Sequence, residues 1–304
     1  MQDTKIAILG LGLIGAAWAA LFVHHGAQVA AWDPEAAARE GLADRMATPL
    51  RQLEQITGQP ARGRLTVTGD LAAALDGAAL IQENAPESIP LKQALYAQIE
   101  ALTEATTIAS SASALCWTDL APSLRDPAQL ITAHPFNPPH LVPLVESYGT
   151  DPARLNGAEA IYRAAGRVPV RLTKPATGHI ANRLASALWR EAVHLVAEGI
   201  ADVPAVDAAL VHGPGLRWSV MGAHMAYHLG GGPGGMAAYL DHLGPSQERR
   251  WADLGTPSLT PGVRAALTAG IAAEADGRDI PTLEHTRDAA LIAVLRARTS
   301  SGHL

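Results

Sequence analysis

Cysteine occurs once in 304 residues, at Cys116. A lone thiol excludes a disulfide framework and a multi-cysteine zinc site. Basic residues are not in excess. Lys plus Arg is 23 against 29 Asp plus Glu, a net charge of −6, so the basic stripe of a nucleic-acid binder is lacking. Long apolar runs are also missing. The longest strongly apolar stretch, Ala16 to Val23, is closed by His24 and His25, well short of the ~20 residues that a bilayer needs. The N-terminus sets Asp3 and Lys5 directly before a short apolar strand and lacks the basic start and cleavage site of an export signal. The expectation is a cytoplasmic protein. The 28 glycines and 21 prolines follow no period, so collagen-like and low-complexity readings fail. No G-x-S-x-G occurs, which removes the serine-hydrolase elbow.

What is present supports a large core. Hydrophobic residues are 48% of the chain and charged residues 17%, which excludes wholesale disorder. The length suggests two domains, since single cores stop growing near ~250–300 residues.

The first thirty-three residues carry the clearest signal. Lys5 to Leu9 reads as a buried strand, Gly10-Leu-Gly12-Leu13-Ile14-Gly15 as a glycine turn, Ala16 to His25 as a helix closed by Gly26, and Gln28 to Trp32 as a second strand ending in Asp33. Strand, glycine turn, helix, strand, acid is the dinucleotide fingerprint in its required context. Gly10 allows the tight turn, Gly12 lets the backbone approach a pyrophosphate, and Gly15 lets helix and strand pack closely. The N–H groups opening the helix, from Leu13 and Ile14 onward, favour phosphate. Asp33 would take the adenosine ribose hydroxyls. With Pro34 and Glu35 following and no arginine near, a 2′-phosphate would be repelled, so the cofactor is read as NAD.

The alternation continues. Arg64–Thr68, Ala79–Gln82, Thr107–Ala109 and Leu130–Ala133 read as strands. Asp70 can cap a short helix to Leu75, and a helix over Leu91–Leu102 would present Leu91, Leu95, Ile99 and Leu102 on one face. This predicts a doubly wound parallel sheet with right-handed crossovers. Ligands in such sheets lie beyond the carboxyl ends of the strands. Asp33, Asn84, Ser113 and His134 follow apolar runs and should converge on one crevice.

Removing a hydroxyl proton as hydride leaves a carbon calls for a base that titrates near neutrality, and histidine does so. Glu146 ends the apolar run Leu141–Val145 and could fix the tautomer of His134. The stiff loop Pro135–Pro139 lies between them. Spacing alone leaves two readings: a base with its orienting acid, or a capped surface histidine and an unrelated glutamate.

The runs Ala109–Leu115, Ala133-His-Pro-Phe-Asn-Pro138, Leu144-Val-Glu146 and Gly178-His-Ile-Ala-Asn-Arg-Leu184 resemble the 3-hydroxyacyl-CoA dehydrogenase family over nearly the whole chain. The resemblance implies an α/β fold, a Rossmann-type NAD-binding domain (residues 1–176) followed by a smaller all-α domain (177–304) through which the chain dimerises. It also implies His134 as base, Glu146 as its orienter, Ser113 bonding the reacting oxygen and Asn182 contacting substrate. Glu87 and Lys92 would lie near the nicotinamide ribose.

Trp18, Ala85-Pro-Glu87, Gly213 to Gly222 and Tyr227 to Met236 are similar to the branch holding lambda-crystallin, L-gulonate 3-dehydrogenases and carnitine 3-dehydrogenases. Arg217 falls in this stretch. A guanidinium binds a free carboxylate with two parallel hydrogen bonds, so a small free 3-hydroxy acid is the expected substrate, gulonate-like or carnitine-like. The alternative role for Arg217 is an ion pair. Residues 34–63 hold only Arg39, Arg45, Arg51 and Arg62 as basic groups, a thin landing site for a phosphorylated carrier. A CoA thioester remains an alternative substrate, and a non-catalytic crystallin-like role the alternative class. For a quaternary ammonium, aromatic faces serve, and Trp117, Trp218 and Tyr227 could supply them or simply pack.

Thr177 can cap a helix from Gly178 to Gly199, with Ile180, Leu184, Leu188, Ala192 and Leu195 as its apolar face. Glu284 to Arg298 reads as a final helix and Gly230 to Gly235 as a turn. His224 and His228 have metal-ligand spacing, but no third ligand is evident, and no metal is expected. His179, beside Asn182, reads as packing or interdomain bonding rather than catalysis, and Cys116 as a small buried residue rather than a nucleophile.

Overall fold

The computed structural model describes residues 1–103 and 106–300. Two compact units divide the chain, Met1–Arg183 and Leu184–Leu304. The first is built on one eight-stranded sheet. Its strands are β1 (Lys5–Leu9), β2 (Gln28–Trp32), β3 (Arg64–Thr68), β4 (Leu80–Glu83), β5 (Ile108–Ser110), β6 (Leu130–Pro135), β7 (Leu144–Tyr148) and β8 (Val168–Arg171). Their spatial order is β3-β2-β1-β4-β5-β6-β7-β8. The first six follow the dinucleotide-binding order 3-2-1-4-5-6 and are mutually parallel.

The all-parallel expectation fails at one place. β6 and β7 run antiparallel, while β8 is parallel to β7. The connection Phe136–Pro143 is too short for the crossover that a parallel neighbour requires, so the chain must double back. Glu146 therefore does not end a strand; it lies in the middle of β7.

Side chains along β1 alternate between two cores. Ile6 and Ile8 pack with Trp18 and Phe22 on one face, and Ala7 and Leu9 pack with Ile81 and Tyr96 on the other. The first helix, Leu13–His24, begins three residues before the expected start, because the glycine turn already supplies its N-cap at Gly12. Every residue from Gly15 to His24 is buried, as its uniformly apolar sequence requires. Gly26 (φ +96°) follows it in the left-handed region, the usual helix-ending position for glycine.

Two helical expectations are corrected. The middle helix spans Ile89–Leu102, and its buried face is Lys92, Leu95, Tyr96, Ile99 and Glu100. Leu91 and Leu102 are exposed. The face is rotated because Lys92 and Glu100 are buried with partners: Lys92 with Glu83, and Glu100 with the Arg125 and Asp126 N–H groups. The helix expected from Gly178 starts instead at Ala181. Gly178 (φ +73°) and His179 (φ +49°) are left-handed and cannot join a right-handed helix, so Thr177 does not cap it. Of its expected apolar face, Ile180 and Leu184 are exposed in the single chain. The buried residue of this helix is Val193, which is not a member of the expected face.

The described residues of the Leu184–Leu304 unit form helices and their connections, with helices including Val203–His212, Ala223–Gly230, Gly235–Asp253, Pro261–Ala275 and Ile280–Ser300. Gly232–Gly234 is a single tight turn between two of them. No described helix is long and apolar enough to cross a membrane.

Candidate active site

The carboxyl ends of β1, β4, β5 and β6 frame a crevice with two lobes that share Asn84, Ala85 and Pro86. One lobe is lined by Gly10, Leu11, Gly12, Asp33 and Arg45. The other, about 410 Å³, holds Ile14, Glu87, Lys92, Ser113, His134 and Asn182. Asp33, Asn84, Ser113 and His134 thus open onto one crevice, and all belong to the first unit.

The glycine turn has the shape of a phosphate cradle. At Gly15 a Cβ would lie 1.9 Å from the Gly10 carbonyl oxygen, and at Gly10 a Cβ would lie 2.7 Å from the Asn84 carbonyl oxygen. At Gly12 a Cβ would meet nothing within 4 Å; it would fill the space where a pyrophosphate fits above the first helical N–H groups. Leu13 turns its side chain to solvent, 72% exposed, so its contribution there is its backbone N–H. Asp33 accepts from the Leu11 N–H (2.8 Å) and the Glu35 N–H (3.0 Å), which pins the acid beside the turn. A dinucleotide therefore fits the residues present.

One expectation about this lobe needs correction. Arginines do stand near Asp33, brought there by the fold rather than by sequence adjacency. Arg39 Nη1 donates to the Asp33 and Pro34 carbonyls (2.6 and 2.9 Å), and Arg45 Nε donates to the Leu11 carbonyl (3.1 Å). Both guanidinium groups are engaged with backbone oxygens.

His134 and Glu146 are direct cross-strand partners in the β6–β7 ladder. In an antiparallel pair the opposed side chains project from the same face, so the register itself brings them together. His134 Nδ1 lies 3.0 Å from Glu146 Oε2, and both residues are buried. The other carboxylate oxygen, Oε1, accepts from the Ile180 N–H (2.7 Å) and the Ala181 N–H (2.9 Å). Burial pushes the Glu146 carboxyl up, but the hydrogen bonds from His134, Ala181 and Ile180, with the charge available on His134, outweigh it and hold the group below its usual range. A charged carboxylate only accepts, so Nδ1 carries the proton and Nε2 presents a lone pair: a base aimed away from its acid.

The opposite wall is built on a second buried carboxylate that sequence reading missed. Glu83, at the end of β4, accepts from Lys92 Nζ (2.5 Å) and the Ala85 N–H (2.6 Å) on one oxygen, and from Tyr96 and Ser110 hydroxyls (both 2.7 Å) on the other. Lys92 also donates to the Ala85 carbonyl (2.9 Å). Four donors satisfy the charge fully, the condition under which a buried ion pair is tolerated, and the network clamps the Asn84–Glu87 loop. Polar residues at 92 and 96, one turn apart on a helix facing the acid at a strand end, were the readable signal.

Glu87 Oε1 accepts from the backbone and hydroxyl of Ser113 and from the Ala114 N–H. Burial raises this carboxyl, yet those hydrogen bonds and the Lys92 charge bring it below the usual range. The Ser113 proton therefore points at Glu87, and its oxygen lone pairs face the lobe. Asn182, in the first turn of the helix Ala181–Ala197, lines the same lobe.

The remaining sequence candidates have these surroundings. Trp117 donates its ring N–H to the Leu130 carbonyl (2.8 Å) and packs edge-on against Tyr148. Tyr227 packs on Tyr239. His228 Nδ1 accepts from the Met236 N–H. Arg217, in the second unit, is exposed and has no ion pair among the described residues.

Comparison with known proteins gives the family. Residues 5–175 match the 3-hydroxyacyl-CoA dehydrogenase NAD binding domain, and residues 178–255 match the C-terminal domain of the same family. An L-carnitine dehydrogenase of Streptomyces griseus is 44% identical over 299 residues, covering 96% of this chain and 89% of that protein. One of Bacillus cereus is 38% identical over 298 residues, covering 96% and 91%. Among solved structures, an NAD⁺-dependent 5-formyl-3-hydroxy-2-methylpyridine 4-carboxylic acid 5-dehydrogenase is similar with a TM-score of 0.76 and 29% identity, covering 97% of this chain and 98% of the other.

Proposed function

Because this chain belongs to the 3-hydroxyacyl-CoA dehydrogenase family of NAD-dependent oxidoreductases, we propose that it oxidises the 3-hydroxyl of L-carnitine, a free 3-hydroxy acid bearing a quaternary ammonium. The observation that carries the substrate is the full-length similarity to L-carnitine dehydrogenases. A free acid also suits the chain better than a CoA thioester. Arg39 and Arg45 are held on backbone carbonyls, which leaves Arg51 and Arg62 as the exposed cations of this segment for a phosphorylated carrier.

NAD, when bound, supplies the hydride acceptor. The chain's own residues do the rest. Gly10, Gly12 and the first helical N–H groups would hold the pyrophosphate, Asp33 the adenosine ribose, and Glu87 and Lys92 would border the nicotinamide ribose. His134 Nε2 accepts the C3 hydroxyl proton. Glu146, kept charged by Ile180 and Ala181, stabilises the imidazolium that results. Ser113 and Asn182 orient the alcohol, and Arg217 takes the substrate carboxylate. We further read residues 1–176 as the cofactor domain and 177–304 as a dimerisation and substrate domain. The enzyme is then a cytoplasmic homodimer, in which a second copy covers exposed apolar side chains of the helical part such as Leu184, Trp189 and Leu216.

The test is NADH formation with L-carnitine, L-gulonate and 3-hydroxybutyrate, set beside NADH oxidation with acetoacetyl-CoA. L-Carnitine should give the highest kcat/KM, and Arg217→Met should raise its KM with little change in kcat. Preference for the thioester would overturn the substrate, and an unchanged KM would remove Arg217 from it.

A further inference from the structure

The catalytic imidazole has a second imidazole packed on it. The rings of His134 and His179 lie 4.8 Å apart, tilted by 35°, and His179 is 3% exposed. Three further observations show that this contact is built. His179 is one of the few non-glycine residues at positive φ (+49°), a conformation that costs roughly 1–2 kcal/mol. Its Nε2 lies 3.1 Å from the Ala112 carbonyl oxygen, between Ser111 and Ser113. Its two successors, Ile180 and Ala181, donate their N–H groups to Glu146.

A carbonyl only accepts, so Nε2 of His179 carries the proton. Burial, against the pull of the Ala112 hydrogen bond, holds His179 below the usual imidazole range, and a charge on His134 opposes its protonation further, while Glu146 and Glu87 favour it. The ring is therefore neutral at neutral pH. It offers a polarisable face to His134 without competing for the proton that His134 collects.

We propose that His179 is a positioning residue: its ring fixes the plane of His134, and its bond to Ala112 ties the loop carrying Ser113 to that same ring. The left-handed turn Gly178–His179 exists to deliver the ring to this place, and the next two N–H groups lock the orienting acid. One short turn thus sets the base, its acid and the serine in a single frame. This rests on the reading of His134 as the base.

The test compares His179→Ala, His179→Phe and His134→Ala as full-length protein. His179→Ala should lower kcat roughly tenfold or more, as small misplacements of reacting groups do, while the NADH dissociation constant and KM stay near wild type. The primary isotope effect with substrate deuterated at C3 should rise, because a misaligned base slows the chemical step. A variant that merely folds less well loses active protein without changing that ratio. His179→Phe keeps the ring and loses only the Ala112 bond, so it should recover all but roughly two- to tenfold, the worth of one net hydrogen bond. Independently of any substrate, the His134 Nδ1–H resonance should shift and exchange faster with water in His179→Ala. Unchanged kcat, isotope effect and resonance in His179→Ala would overturn the proposal. Should His179→Ala not fold, His179→Phe decides: a loss of roughly two- to tenfold supports the frame, and no loss, or one as deep as that of His134→Ala, overturns it. Full activity in His134→Ala would instead sink the base itself.

Discussion

Replacing Glu146 with glutamine keeps the side chain's size and removes its charge, and the structure dictates how the amide must sit. Oε1 of Glu146 accepts from two backbone N–H groups, Ile180 and Ala181, while Oε2 accepts from His134 Nδ1. A glutamine has one acceptor end and one donor end. With its oxygen toward the two N–H groups, its NH₂ faces Nδ1 and drives the imidazole into the tautomer with the proton on Nε2. That tautomer cannot accept a hydroxyl proton. The opposite orientation preserves the base but turns the NH₂ against two partly buried donors. Leaving each unsatisfied costs about 1–3 kcal/mol, so the competent arrangement lies roughly 2–6 kcal/mol higher. At about 1.4 kcal/mol per decade, kcat should fall between roughly thirty-fold and twenty-thousand-fold. The measurement is steady-state NADH formation, with NADH affinity from fluorescence titration as the control for folding. Glu146→Gln turning over within threefold of wild type, with intact cofactor affinity, would refute the tautomer argument.

Two glycines that look alike in sequence should respond oppositely. Gly12→Ala places a methyl in open space, so the variant should fold with a melting temperature near wild type and bind NADH much more weakly, measurable by the same titration. Gly15→Ala drives a methyl into the Gly10 carbonyl, so thermal unfolding should show a large loss of stability. Acid should also destabilise the protein in a defined window. Glu87, Glu146 and Glu159 all have carboxyls held below their ordinary value of 4.5, with burial outweighed by hydrogen bonds. Groups depressed on folding contribute stability that is complete above the unfolded value and is lost as pH falls through the folded one. The melting temperature should therefore hold down to about pH 5 and then drop, and Glu159→Gln, which removes an acid outside the crevice, should flatten that drop.

The parts of this molecule readable in its sequence are those governed by local sterics. The glycine turn could be assigned position by position because each glycine answers a separate contact, and Asp33 follows at a distance fixed by one βαβ unit. Asp70 as a helix cap is equally local: its side chain accepts the Ala72 N–H, 2.9 Å away. What could not be read depends on register and on pairing across the chain. His134 and Glu146 were both singled out, but their contact follows from the reversal of β7, which spacing alone left open. The buried face of the Ile89–Leu102 helix was misplaced because Lys92 and Glu100 counted as polar, whereas a fully bonded charge can occupy a core position.

The same logic explains why the sequence points to packing or interdomain bonding for His179 and not to a place beside the base. Nothing in a sequence distinguishes a histidine that fills a gap from one that holds another histidine. The distinction lies in three coordinates at once: the left-handed backbone at residues 178 and 179, the bond to the Ala112 carbonyl, and the ring contact with His134. Any one of these has an ordinary explanation. Packing needs no strained backbone, and a turn needs no buried imidazole at its tip. Their coincidence, with Ile180 and Ala181 on Glu146, is economical only if the turn serves the pair that moves the proton.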